Sequence, residues 1–197
     1  MEVGLFFGTF NPVHVGHLII ANYMLQHTSL NEVWFVVSPH NPFKEKKSLL
    51  KDYHRLALVD IAIENHAGLI SSNIEFDLPQ PSYTTNTLAH LTEKFPTKKF
   101  SLIMGEDNLD SLHKWKNAEQ LVNNYPILVY PRLNSTERER NIPAWIFEQG
   151  TINLMKDLPI MNLSSTFIRN EIKVGNNISF LVPEKVAQYI DEMNFYK

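Results

Sequence analysis

Several features that mark other protein classes are missing from this chain of 197 residues. It has no cysteine, which excludes disulfide bonds and thiolate chemistry and is consistent with a reducing cytoplasm. No apolar run approaches the roughly 20 residues that cross a bilayer, and no signal peptide is recognisable before the first apolar segment. We therefore expect a cytoplasmic protein that does not enter a membrane.

An excess of charge of one sign is also absent. The 18 lysines and arginines are balanced by 21 aspartates and glutamates, which gives a net charge of -3. This balance argues against a protein that coats nucleic acid by electrostatic attraction, but it allows a local basic pocket. Hydrophobic residues make up 44% of the chain, which is enough for one domain with a buried core.

Short apolar runs typical of strands alternate with longer segments that have helical spacing. The predicted strands cover residues 2–7, 32–39, 69–76, 98–105, 127–132 and 151–158. The predicted helices cover residues 17–27, 52–65, 82–95, 118–125, 165–174 and 183–195, and the polar segment 132–145 is predicted to be a surface excursion. This alternation predicts an α/β fold with a Rossmann-like, doubly wound parallel sheet. We expect one domain over 1–197, with a sheet core over 1–160 and a small helical cap over 161–197.

The stretch "GTFNPVHVGH", residues 8–17, follows the first predicted strand. In an open parallel sheet, ligands bind beyond the carboxyl ends of the strands, often at the first strand-to-helix turn. Gly8 allows a sharp turn, and Gly16 allows close approach at a helix start whose amides attract anions. His14, His17 and Thr9 can donate hydrogen bonds to phosphate oxygens. This segment therefore predicts a phosphate site.

Two other interpretations of the histidine pair stay open at this point. Zinc-protease helices place their histidines four residues apart, whereas His14 and His17 are three apart, with no cysteine and no evident third ligand nearby. An ordinary turn with incidental histidines is the simplest alternative. The coincidence of glycine, threonine, proline and two histidines at the expected crevice favours phosphate binding over both.

The same stretch resembles the "G-[ST]-F-[DN]-P-x-H-x-G-H" signature of the nucleotidyltransferase superfamily, which carries a HIGH-type motif. The segment "LSSTFIRNEI" is similar to the "ISST-x-[IV]-R" element of that superfamily. The blocks "QPSYTTNTL", "FSLIMGEDNLDSLHKW" and "FLVPEKVAQYI" resemble those of the bacterial nicotinate-nucleotide adenylyltransferases. The resemblance runs from residue 4 to about residue 190. Phe7, Asn11 and Asn86 depart from it, since glycine is commoner at the first position and aspartate at the other two.

The resemblance implies adenylyl transfer from ATP to nicotinate mononucleotide, with release of pyrophosphate. It implies Mg²⁺ bound through the ATP phosphates and no protein metal cage. From the charge balance we expect no nucleic-acid partner, and the sequence leaves open whether the chain forms a homo-oligomer. The implied catalytic residues are His14, His17, Lys44 and Arg169, and His40 could orient the loop that carries the lysine. The residues implied to bind ATP are Gly8, Thr9, Phe10, Gly16, Gly105, Asp107, Ser164, Ser165 and Thr166.

For the second substrate, the resemblance implies that Trp115 stacks on the pyridine ring and that Tyr83, Thr84 and Thr85 surround its carboxylate. Without the resemblance, a tryptophan at this place would be assigned to the core. Three alternatives remain: pantetheine-phosphate adenylyltransferase, whose family is shorter and lacks the "SYTTNT" and "HKW" blocks, a nicotinamide-preferring relative, and a regulatory module that binds nucleotide without catalysis.

Overall fold

Six parallel strands form one sheet in the computed structural model of the chain, which describes residues 1–39, 49–132 and 142–197. The order of the strands across the sheet is β3-β2-β1-β4-β5-β6. In chain order the strands are β1 (Glu2–Gly8), β2 (Glu32–Val37), β3 (Leu69–Ser72), β4 (Lys99–Gly105), β5 (Ile127–Tyr130) and β6 (Ile152–Leu154). The predicted doubly wound parallel sheet is thereby confirmed.

Helices connect the strands and cover the sheet. They are α1 (Val15–His27), α2 (Asp52–Ile63), α3 (Thr84–Lys94), α4 (Glu106–Ser111), α5 (Ala118–Asn124), α6 (Trp145–Gln149), α7 (Ser165–Lys173) and α8 (Glu184–Glu192), with a 3-10 turn at Leu112–Lys114. The strand order reverses between β1 and β4, which pair directly, with Phe6 beside Ile103. The crevice beyond the ends of these two strands is the place where such sheets bind ligands.

The alternation of side chains along β1 divides the core into two layers. Val3 and Leu5 belong to one buried cluster, and Phe6 belongs to the other. Ile168 of α7 and Val186 of α8 join the Phe6 cluster. The two last helices therefore pack on the same face of the sheet as α1 and α2, and this brings the start of α7 to the end of β1.

Some element boundaries differ from the prediction. The strand predicted over 69–76 ends at Ser72, because the N–H of Phe76 donates to the carbonyl of Asn73 and closes a turn. The strand predicted over 151–158 ends at Leu154, since a second turn follows in which the N–H of Leu158 donates to Met155. The short helices α4 and α6 were not predicted. Among the described residues, no helix is long and apolar enough to span a membrane.

Candidate active site

The loop between β1 and α1 lies at the crevice where the strand order reverses. A Cβ at Gly8 would stand 2.8 Å from the ring of Phe10, so the turn requires glycine there. Phe10 itself has a φ of 44° and a buried ring that packs edge-on against Phe6 at 5.8 Å. The side chain of Phe10 is therefore an anchor beneath the loop.

His14 and His17 meet at the beginning of α1. His14 is the residue that caps the helix, and its backbone N–H donates to Nδ1 of His17 at 3.2 Å. The two imidazole rings stack with centroids 3.6 Å apart. Gly16 makes this possible, because a Cβ there would press against the His14 ring at 3.1 Å. The spacing of three residues thus serves to stack one ring on the other.

The two histidines differ in their surroundings. His14 is buried, and burial lowers its pKa to about 4, with the positive charge of Arg132 as a second, smaller cause. His14 is therefore neutral at pH 7. The ring of His17 is half-buried and packs edge-on against Phe10 at 5.1 Å.

The start of α7 holds the same loop from the other side. The guanidinium of Arg169 donates to the carbonyl of Asn11 at 2.8 Å and to Oγ1 of Thr166 at 3.1 Å. The hydroxyl of Ser165 donates to the carbonyl of Pro12 at 2.8 Å. Ser164 caps the helix by accepting the N–H of Phe167. The two motifs at the beginning and end of the sequence thus form one site.

Two further residues that contact this loop were missed by sequence reasoning. Arg55 of α2 is fully buried and donates to the carbonyls of Thr9 at 2.6 Å and Ser38 at 2.8 Å. Burial lowers the pKa of Arg55, and the adjacent Asp52 carboxylate opposes that effect. Tyr196 donates to Oδ1 of Asn11 at 2.8 Å. An arginine on the apolar face of α2 was the available signal for Arg55, since a buried guanidinium needs several acceptors.

The ends of β4 and β5 form the opposite wall of the crevice. Asp107, in the first turn of α4, lies with one carboxylate oxygen 3.6 Å from Nε of Arg132. The N–H of Arg132 donates to the carboxylate of Glu106, and its guanidinium donates to the hydroxyl of Tyr130. A small open cleft lies between this wall and the histidines, lined by His14, Gly16, His17, Ile20, Tyr130, Pro131, Arg132, Leu158, Pro159, Met161 and Leu163. Arg132 was not among the predicted site residues.

The residues predicted for the second substrate form a separate group. α3 begins at Thr84 after Tyr83, without a side-chain cap, and Thr85 donates through its hydroxyl to the carbonyl of Lys116 at 2.7 Å. The ammonium of Lys116 lies 4.4 Å from the centroid of the Tyr83 ring. Trp115 is half-buried and packs against the core cluster that contains Val3 and Leu5. Tyr83 and Thr85 thus both contact Lys116, the chain neighbour of Trp115.

Gly105 and Asp107 stand where α4 begins, and α4 with the 3-10 turn leads from them to Trp115.

Lys44 and His40 lie within residues 40–48, outside the described part of the chain. In the ranges 1–39, 49–132 and 142–197, no three histidine, aspartate or glutamate side chains are grouped so that they could hold a metal ion.

A parallel sheet with a histidine pair at its first strand-to-helix turn and an arginine at the facing helix start is the architecture of a nucleotide-binding enzyme. The model of the cytidylyltransferase-like family matches residues 5–171, and the chain belongs to that family. The predicted nucleotidyltransferase is thereby confirmed.

Similar proteins agree with this assignment along the whole chain. A protein of Flavobacterium psychrophilum named "Probable nicotinate-nucleotide adenylyltransferase" is 56% identical over 100% of both chains. One of the same name from Christiangramia forsetii is 57% identical over 100% of this chain and 98% of its own. The structure of Plasmodium falciparum nicotinic acid mononucleotide adenylyltransferase complexed with NaAD has the same fold, with a TM-score of 0.78. It is 18% identical and covers 99% of this chain and 97% of its own.

Proposed function

We propose that the protein transfers the adenylyl group of ATP to nicotinate mononucleotide, forming nicotinate adenine dinucleotide and pyrophosphate in the biosynthesis of NAD. The main support for this proposal is the stacked pair of His14 and His17 at the crevice of the sheet. Arg169 binds the carbonyl of Asn11 in the same loop. The relatives that match the whole chain at 56–57% identity carry the name of this activity. The name of these relatives indicates the substrates. The histidine pair and Arg169 are groups that are suited to bind phosphates.

The chemistry asks for positioning and charge stabilisation. The attacking mononucleotide phosphate is already an anion, so no strong general base or covalent residue is needed. Because Nδ1 of His17 accepts a hydrogen bond, its Nε2 carries the proton when the ring is neutral. His17 then donates to a phosphate oxygen of ATP as charge moves onto the leaving pyrophosphate. His14 is a neutral donor beside it, because burial keeps its pKa low.

The ATP site extends from this pair in two directions. Thr9, Gly8 and the start of α7 surround the phosphates, and the planar guanidinium of Arg169 is suited to bind two phosphate oxygens. Gly105 and Asp107 lie at the end of β4, where Asp107 faces Arg132 of the cleft lining and its carboxylate is suited to accept ribose hydroxyls. Mg²⁺ would enter with the triphosphate as part of the substrate, and phosphate oxygens and water supply most of its ligands.

The mononucleotide binds beside Trp115 and the start of α3. The indole is the aromatic platform for the pyridine ring, and the uncapped first turn of α3 at Tyr83, Thr84 and Thr85 offers amides to its carboxylate. The role of Lys44, the division at residue 160, the oligomeric state and the cytoplasmic location stay predictions.

The direct test is product identification. The pure protein is incubated with ATP, Mg²⁺ and nicotinate mononucleotide, and the products are identified by mass spectrometry together with a pyrophosphate assay. Pantetheine 4′-phosphate in place of the mononucleotide is the acceptor control. We expect equal amounts of nicotinate adenine dinucleotide and pyrophosphate with the mononucleotide only. Binding of ATP without turnover would instead indicate the regulatory module.

A further inference from the structure

The segment that follows α8 reaches back to the loop at the other end of the sequence. Tyr196 donates through its hydroxyl to Oδ1 of Asn11 at 2.8 Å, although the two residues are 185 positions apart. The same Oδ1 accepts the N–H of Leu50 at 3.2 Å. The carbonyl of Asn11 accepts Arg169. Asn11 is therefore the point where three distant segments of the chain meet the loop.

From this we propose that Tyr196 is a positioning residue for the adenylyl transfer, holding Asn11 so that the loop presents His14 and His17 to the ATP phosphates. The inference rests on the proposed function, which supplies the adenylyl transfer. The contact between Tyr196 and Asn11 is a property of the structure and does not depend on that function. Tyr196 touches no substrate in this proposal, since it acts through the loop.

The backbone around Tyr196 indicates that its position is imposed by tertiary contacts. Tyr196 has a φ of 65°, a left-handed backbone conformation that residues other than glycine rarely adopt, and Asn194 has a φ of 52°, which asparagine tolerates better than most residues. Phe195 between them is buried, and its ring lies 4.7 Å from the ring of His54 and 5.8 Å from that of Tyr189. Phe195 anchors the segment, and the turn directs the next side chain at the loop.

The surroundings of the hydroxyl also favour a fixed role. Burial raises the pKa of Tyr196, while the nearby positive charges of Arg169 and Arg55 oppose that rise. The hydroxyl therefore keeps its proton across the physiological range and remains a donor to Asn11. Arg55 and Arg169 each hold a carbonyl of the same loop, at Thr9 and Asn11. Tyr196 adds a contact to the side chain of Asn11, whose Oδ1 also accepts the N–H of Leu50.

The test compares Tyr196→Phe with Tyr189→Phe. Tyr189 is a matched control, because its hydroxyl lies 3.4 Å from Nδ1 of His54 and its ring also packs on Phe195. Loss of one hydrogen bond that orders the reacting groups is expected to lower kcat about fivefold in Tyr196→Phe. The KM for the mononucleotide should change little. Tyr189→Phe should keep the unsubstituted kcat.

A double-mutant cycle tests whether the effect passes through Asn11. In the background of Asn11→Ala, the further change Tyr196→Phe should leave kcat unaltered. Equal fold losses in both backgrounds would overturn the proposal, as would an unchanged kcat in the single variant Tyr196→Phe.

Hydrogen exchange separates this proposal from the proposed function. In Tyr196→Phe, the amides of residues 8–17 should exchange faster, while those of β4 exchange at the unsubstituted rate. Unchanged exchange in the loop would refute the positioning role, whether or not the protein makes dinucleotide. If the unsubstituted protein makes none, the proposed function fails, and the exchange result still decides whether Tyr196 orders the loop.

Discussion

The backbone N–H of His14 donates to Nδ1 of His17 at 3.2 Å, and the rings of the two residues stack at 3.6 Å. One hydrogen bond therefore selects the tautomer of His17, because an accepting Nδ1 leaves the proton of the neutral ring on Nε2. The stack also fixes the plane in which that Nε2–H points. The spacing of three residues supplies both effects at once.

His17→Ala is expected to lower kcat by a factor of about 10² to 10³, since removal of one preorganised donor to developing charge has that effect in other enzymes. The KM for the mononucleotide should change far less. Steady-state kinetics measures both. His27→Ala is the control, because His27 ends the same helix and stacks on Tyr23. Near-normal turnover in a folded His17→Ala protein would remove this histidine from the mechanism.

The burial of His14 predicts a pH dependence of stability. Its pKa is lowered from 6.5 to about 4 in the folded protein, so the unfolded chain binds the proton more readily. The free energy of unfolding therefore has its full value, as far as His14 is concerned, above pH 6.5. It decreases as the pH falls from about 6.5 to about 4. The loss is about 3 kcal/mol.

Urea unfolding at several pH values measures this loss. His14→Gln should flatten the profile between pH 6.5 and 4, because its side chain does not titrate. Arg132→Gln should make the loss smaller and end it at a higher pH, since the charge of Arg132 is the second cause of the lowered pKa. An equally steep profile in His14→Gln would show that other groups control the stability in this range.

Arg169→Lys should impair the handling of ATP although it preserves the charge. The guanidinium reaches both the carbonyl of Asn11 and the hydroxyl of Thr166, and one ammonium cannot reproduce that fork. We expect kcat/KM for ATP to fall at least tenfold. The reverse exchange Lys173→Arg, at the exposed end of the same helix, is the control. Unchanged ATP affinity and rate in Arg169→Lys would place this arginine outside the site.

Trp115→Ala is expected to raise the KM for the mononucleotide and to leave that for ATP nearly unchanged. Stacking of this kind contributes about 1–3 kcal/mol per base in nucleic-acid complexes. Trp145→Ala is a matched control, since Trp145 is also partly buried against the same core cluster. Both variants should lose about 2 kcal/mol of stability, measured by urea unfolding. An equal KM for the mononucleotide in the two variants would show that Trp115 serves the core alone.

Much of the fold could be predicted, because buried parallel strands are apolar runs and the intervening helices have a clear period. β1 and β4 were predicted to within a residue or two for this reason. α4 could not be predicted, since its six residues are too few to show a helical period. β6 was overextended, because the mixed sequence of residues 151–158 gives no sign of the turn that ends the strand at Leu154.

The predicted site could be assembled only where a motif marks its residues. The histidine pair and Arg169 came from such motifs. Arg132 and Tyr196 were missed, because each reaches the crevice through tertiary contacts that no local pattern encodes. Arg55 was missed although its place on the apolar face of α2 was a signal, since the pattern does not show which carbonyls a buried guanidinium binds. Asn11 was noticed only as a departure from the family pattern. Its role as an acceptor for Tyr196 depends on a residue 185 positions away.

The identity of the second substrate, nicotinate mononucleotide, is central to the proposed function. The first turn of α3 has no side-chain cap, and its amides and helix dipole suit an anionic carboxylate that only accepts hydrogen bonds. A carboxamide would present its NH₂ to those donors, and such a mismatch costs about 1–3 kcal/mol. The most direct measurement compares kcat/KM for nicotinate and nicotinamide mononucleotide at saturating ATP. We expect a preference of about ten- to a hundredfold for the nicotinate form, whereas equal values or a preference for the amide would contradict the assignment.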